Sequence, residues 1–68
     1  MSDDSVRRRA LELIRIGELH PTRIWLELFA RGGEGTVADL ERFLAGLDPI
    51  SDSYALLLEI TLNEIQEQ

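Results

Sequence analysis

Apolar residues recur along the chain at the three- and four-residue spacing of an α-helix, in segments that Gly and Pro separate. The first segment is predicted to form a helix over about 4–18, because Gly17 weakens its last turn and Pro21 removes an amide donor. Its candidate N-caps are Ser2, Asp3 and Asp4. Its predicted core stripe consists of Val6, Ala10, Leu13 and Ile14, with Leu11 on the flank.

The second segment, predicted as a helix over about 22–31, is apolar around much of its circumference. Pro21 suits a first helical position, and Gly32 with Gly33 provides the stop. At about 100° per residue, roughly 200° of the surface is covered by apolar side chains, namely Ile24, Trp25, Leu26, Leu28 and Phe29. So wide an arc predicts a central helix contacted on two sides, with Trp25 in the core. A charged stripe at four-residue spacing consists of Arg23, Glu27 and Arg31.

The third segment is predicted to form a helix over about 37–46, after a capping pair made by Thr36 and Asp39. Gly46 and Pro49 mark its end. Its apolar residues share one face, which consists of Val37, Leu40, Phe43, Leu44 and Leu47.

The fourth segment, about 52–66, fits both a strand and a helix, because its apolar residues alternate and also repeat at helical spacing. Length decides for a helix, since a long run without Gly or Pro follows the candidate caps Ser51 and Asp52. The helical core face consists of Tyr54, Leu57, Leu58, Leu62 and Ile65. The sequence therefore predicts the all-α class, as a single small domain over 1–68 in which four short helices form a compact bundle with short turns.

Composition limits the stability and the location of the protein. For 68 residues and 7.7 kDa, area scaling predicts roughly 4,300 Å² of accessible surface and burial of only about 60% of the unfolded surface. Without Cys there is no disulfide, so packing, a partner or self-association must stabilise the chain. No apolar run approaches the roughly 20 residues that cross a bilayer, and the acidic N-terminus is unlike a signal peptide. We expect a cytoplasmic protein, and the use of Arg without Lys favours a bacterial source.

Charge is divided unevenly between the two halves of the chain. Residues 1–33 carry six Arg and five acids, a net charge of +1, whereas residues 34–68 carry one Arg and eight acids, a net charge of −7. Such an acidic half repels phosphate backbones and attracts a basic protein surface. A solvated acidic face is the more common explanation of this pattern.

Two residues of the fourth segment fit its core face poorly. Leu56 and Ile60 lie four apart and point nearly opposite that face, beside Asn63 and Glu67. Burying two such side chains is worth roughly 3–6 kcal/mol in total. They are therefore candidate contacts for a dimer seam or a partner helix. The alternatives are a fourth helix threaded between the others, or two ordinary exposed residues.

The first segment offers an alternative site for an anionic partner, made of Arg7, Arg8, Arg9 and Arg15. A nucleic-acid-binding or transcription-associated module would use them on phosphates. Successive helical residues point about 100° apart, so the first three diverge, and Asp4 and Glu12 are spaced to pair with Arg8. A helix-turn-helix that reads DNA through 37–46 is disfavoured, because that helix offers one Arg against two acids. An acidic mimic of nucleic acid is a further alternative.

Catalytic and cofactor chemistry has little support in the sequence. The glycine-rich turn before the third helix lacks the Lys of a phosphate-binding loop, and Glu34 puts negative charge where a phosphate would lie. His20 is the only His, so it is expected to be a turn residue or an N-cap and not part of a metal site. With no Cys, no Lys and one His, the only plausible acid–base pair is made of carboxylates, which lie on polar helix faces. We therefore expect a protein that is not an enzyme and that binds no cofactor, metal or small-molecule substrate.

These observations predict a small acidic intracellular protein that acts as an interaction or regulatory adaptor. Its expected partner is another protein or a second copy of the chain, bound through Leu56 and Ile60. Binding of nucleic acid or membrane is not expected.

Overall fold

The computed structural model describes residues 3–67, and the regular structure in that range is entirely helical. The helices are α1 (Asp3–Arg15), α2 (Pro21–Ala30), α3 (Val37–Leu44) and α4 (Asp52–Glu67). Both α1 and α2 pack against α3 and against α4. The molecule measures 27 × 23 × 23 Å, and its accessible area of 4346 Å² matches the area predicted from its size. The predicted all-α bundle of four short helices is confirmed.

The core lies where the apolar stripes of the four helices meet. Its buried apolar side chains are Val6, Ala10, Leu13, Ile24, Leu28, Leu40, Phe43, Leu44, Leu58 and Leu62. Thr61 is buried with them, and its hydroxyl donates a hydrogen bond of 2.7 Å to the carbonyl oxygen of Leu57 one turn earlier. Because that bond satisfies the hydroxyl, a polar residue is accommodated in the core.

Within residues 3–67, none of the four helices is both long and apolar enough to cross a membrane.

The helix starts are set by caps that the sequence predicts. The Nδ1 atom of His20 accepts a hydrogen bond of 3.2 Å from the amide of Thr22, so His20 is the N-cap of α2. Thr36 and Asp39 form a complete capping box at the start of α3, with hydrogen bonds of 3.2 and 3.0 Å. Ser51 caps α4 by accepting from the amide of Tyr54 at 3.1 Å. Ser2, a candidate cap of α1, lies outside the described residues.

Helices α1, α2 and α3 end in the same hydrogen-bond pattern, a Schellman motif closed by glycine. At the end of α2, the amide of Gly33 donates to the carbonyl of Leu28 at 2.8 Å and that of Gly32 donates to Phe29 at 3.1 Å. Gly32 has a φ of 92°, a backbone angle that residues with a Cβ atom rarely adopt. The same pattern ends α1 at Arg15 instead of near Glu18, and α3 at Leu44 instead of near residue 46. The predicted ends were wrong by two or three residues, because this motif diverts the chain before the glycine and not after it.

Three large apolar side chains that the sequence assigns to packed faces are exposed. Leu47 follows the end of α3, so it leaves the face it would share in a longer helix, and it is 66% exposed. On α2, Leu26 and Phe29 are 52% and 61% exposed. Helix α2 does contact two neighbours, but they cover a narrower arc than the apolar residues occupy.

Candidate functional site

The side of α4 that faces away from the core exposes two large apolar side chains beside polar ones. We call this side the α4 outer face and define it by Leu56, Ile60, Asn63 and Glu67. All four residues are exposed, with Leu56 at 58% and Ile60 at 41%. The opposite side of the same helix is fully buried at Leu58 and Leu62. Helix α4 is therefore a surface helix, and the alternative in which it threads between the other helices is wrong.

Acidic residues surround the apolar pair of the α4 outer face. Helix α4 carries four acids and no basic residue, namely Asp52, Glu59, Glu64 and Glu67. Glu64 pairs with Arg31, with 2.8 Å between its Oε2 and the Nη2 atom of Arg31. The other three acids form no ion pair with any residue in the range 3–67. The site thus combines exposed apolar side chains with uncompensated negative charge.

A second apolar surface lies on α2. The ring of Phe29 stacks on Trp25 with their centroids 5.3 Å apart, and Leu26 is exposed one turn before. Trp25 itself packs against the core, and its indole N–H donates to the carbonyl oxygen of Gly35 at 3.2 Å. Trp25, which the sequence placed in the core, is therefore half-buried at the edge of the core. Its stacking partner Phe29 is a surface residue that the sequence pattern assigned to the interior.

The charged stripe of α2 joins α4 through Arg31. Arg23 Nε lies 3.0 Å from Glu27 Oε2, and Arg31 Nη1 lies 2.9 Å from Glu27 Oε1. Arg31 also donates to the backbone carbonyl of Glu27 at 2.9 Å and reaches across to Glu64. Hydrogen bonds from Arg31 hold the pKa values of Glu27 and Glu64 below their ordinary range. The stripe predicted from spacing is confirmed, and it connects the two helices that carry the exposed apolar surfaces.

The low pKa values of Glu27 and Glu64 predict an acid-sensitive contribution to stability. A carboxyl whose folded pKa lies below its unfolded pKa stabilises the protein fully above the unfolded value, and this stabilisation is lost as pH falls through the folded value. The difference in urea midpoint between the wild type and Arg31→Gln is therefore expected to be largest at neutral pH and to shrink below about pH 4. A difference that stays constant from neutral pH to pH 3 would contradict this assignment and leave only the pH-independent bond to the Glu27 carbonyl.

The arginines of α1 do not converge on one site. Arg7 lies over the ring of Phe43 in α3, with 6.0 Å between its guanidinium carbon and the ring centroid. Arg9 donates a hydrogen bond to Gln66 on α4, on the other flank of α1. These contacts direct two of the four side chains toward different neighbouring helices, so a phosphate backbone would not meet them as a group.

Two arginines of α1 form ion pairs with acids of the same helix. Arg15 pairs with Glu12, with 3.0 Å between Arg15 Nε and Glu12 Oε2, and Arg7 pairs with Asp4. Both pairs are three residues apart, and they replace the four-residue pairs with Arg8 that the sequence suggests. Arg8 is exposed. Within the described residues, ion pairs with acids of the same helix therefore neutralise Arg7 and Arg15 locally but not Arg8.

Two of the carboxylates at one other surface groove are occupied by structural contacts. A groove of about 360 Å³ between α3 and the start of α4 is lined in part by Asp39, Asp48 and Tyr54. Asp39 accepts from the amide of Thr36 in the capping box. The Arg42 guanidinium, with its Nε 2.6 Å from Asp48, holds the pKa of that carboxyl below its ordinary value. Both groups are acceptors already in use, which makes them poor candidates for a general acid.

The glycine-rich turn and the single histidine have structural roles. In the turn from Gly32 to Thr36, the first residues close α2 and the last one caps α3, as the hydrogen bonds above show. Within residues 3–67, no three His, Asp or Glu side chains come together as a metal-binding group requires.

The chain was also compared with known proteins. No protein-family model, no curated protein and no solved structure matches it. Function has to be inferred from the surface of the molecule itself.

The exposed Leu26 and Phe29 are residues that the sequence pattern did not assign to a surface. An apolar arc of roughly 200° is wider than the stripe of a typical surface helix. In a bundle of only four short helices, such a width is itself the signal that part of the arc stays uncovered.

Proposed function

We propose that this protein is a small non-enzymatic interaction module, an adaptor or regulator, that binds another protein through the α4 outer face. The observation that carries the proposal is the outward position of Leu56 and Ile60 on a helix whose other side is buried. Because each side chain is about half exposed, covering the two is worth roughly 1.5–3 kcal/mol in total. The composition, with Arg as the only basic residue and no Cys, supports placing this activity in a bacterial cytoplasm.

Several features of the molecule support binding over catalysis. The carboxylates with lowered pKa values are ionised at neutral pH, so they hold no proton for a general acid to donate. The exposed apolar pair lies on a regular helix and not on a loop, so its geometry is fixed before a partner arrives. A rigid, pre-formed apolar surface favours docking of a protein segment.

The proposal is tested with the double variant Leu56→Glu with Ile60→Lys, which leaves the net charge unchanged. Affinity capture from cell extract with wild type and variant, compared by quantitative mass spectrometry, is expected to show specific partners lost by the variant. Sedimentation equilibrium over a hundredfold concentration range reports in parallel whether the wild type self-associates.

Leu47→Glu is the matched control, because Leu47 is 66% exposed but lies outside α4. The control is expected to keep every partner of the wild type. Far-UV circular dichroism shows whether both variants remain folded. The proposal is overturned if the folded double variant keeps both the assembly state and all captured partners of the wild type.

A further inference from the structure

Leu56 and Ile60 belong to a row of residues that begins and ends with an acid. At four-residue spacing along α4 the row reads Asp52, Leu56, Ile60 and Glu64. The row covers about 18 Å of helix at about 1.5 Å per residue. Side chains four apart are neighbours on a helix surface, so the apolar pair lies between carboxylates at both ends.

This arrangement disfavours a second copy of the chain as the occupant. Two α4 helices packed through the apolar pair would bring an acid against an acid at both ends of the row, in either the parallel or the antiparallel orientation. Helix α4 carries no basic residue that could compensate, and Arg31 of α2 pairs with Glu64 but leaves Asp52 and Glu67 without an ion pair within the described residues. The net charge of −6 adds long-range repulsion between two copies. Like charges brought together at an interface suppress that pairing.

We infer that the occupant of the α4 outer face is an amphipathic helix of another protein, with two apolar residues four apart and Arg or Lys at both ends of that pair. Such a helix pairs apolar with apolar residues at the centre and basic with acidic residues at the ends. Because Glu64 is already paired with Arg31, the acids that meet the basic residues are Asp52 before the apolar pair, Glu67 after it and Glu59 beside it, which form no ion pair within the described chain. This inference rests on the proposed function and adds the chemistry of the partner.

The test uses three synthetic helical peptides with the same apolar positions and with Lys, Gln or Glu at the flanking positions, titrated by fluorescence anisotropy. The Lys peptide is expected to bind best, and its affinity is expected to fall as salt rises from about 50 to about 200 mM. The triple variant Asp52→Asn, Glu59→Gln and Glu67→Gln is expected to bind the Lys peptide about tenfold more weakly.

A variant with an equal change of net charge controls for long-range attraction, namely Glu18→Gln, Glu34→Gln and Glu41→Gln. These three acids are exposed and lie outside α4, so this variant is expected to keep most of the affinity. The double variant at Leu56 and Ile60 is expected to lose binding of the Lys peptide.

The outcomes separate the identity of the occupant from the proposed function. If the three peptides bind equally and the double variant loses them all, the basic occupant is wrong and the docking face stands. If the wild type is a dimer that the double variant splits, the occupant is a second copy and the inference is overturned. If no peptide binds, the inference also fails. Binding that the double variant leaves unchanged overturns both the inference and the use of this face.

Discussion

Replacing Phe43 with Ala is expected to lower the free energy of unfolding by about 3–5 kcal/mol. The ring is 1% exposed at the centre of the core, and the substitution also removes its contact with the guanidinium of Arg7. A domain of 68 residues has a total stability of about 3–10 kcal/mol. The variant is therefore expected to lose a large share of its stability, which urea denaturation followed by far-UV circular dichroism measures.

Phe29→Ala is the matched control for this prediction, because the chain has two Phe residues and Phe29 is 61% exposed. Loss of its stacking on Trp25 is expected to cost less than about 1.5 kcal/mol. An equal loss of stability in the two variants would show that Phe29 is covered in solution.

The second prediction compares two leucines that lie two residues apart in α4. Leu58→Ala is expected to cost about 3 kcal/mol, because Leu58 is fully buried and its removal leaves a cavity among the other core side chains. Leu56→Ala makes the same chemical change at a side chain that is 58% exposed, and its cost is expected to stay below about 1 kcal/mol. Chemical denaturation of the two variants under identical conditions measures the difference.

The comparison of Leu56 with Leu58 also bears on function. A side chain that folding does not require is free to serve binding. Leu56 fits that description only if its removal leaves the free energy of unfolding nearly unchanged. If Leu56→Ala destabilises the protein as much as Leu58→Ala, the α4 outer face is covered in the free protein and is not available to a partner.

Much of the fold follows from local sequence signals. Thr36 and Asp39, Ser51 and His20 predict the helix starts, because capping depends on residues only two or three positions apart. The register of α4 is also predicted correctly, since Leu58 and Leu62 repeat at helical spacing. In that register Leu56 and Ile60 point outward, so the candidate site was found from the sequence.

The rest depends on contacts between distant segments. Periodicity gives the direction of a side chain around its helix but not the number of neighbouring helices that cover it, so Phe29 was assigned to the interior. The ion pair between Arg31 and Glu64 joins residues 33 positions apart, so their spacing in the sequence does not predict it. Leu47 is exposed because α3 ends at Leu44, two residues before its predicted end.

The three glycine-closed helix ends have a consequence for the order of folding. Each end is defined by hydrogen bonds between residues at most six positions apart, so the chain reverses direction without help from distant segments. The connections between helices are also short, which keeps the entropy cost of loop closure small. Helices α2 and α3, which follow one another in the sequence and pack together, are therefore expected to meet early, and the docking of α4 onto α1, the contact with the largest separation in sequence, is expected to come late.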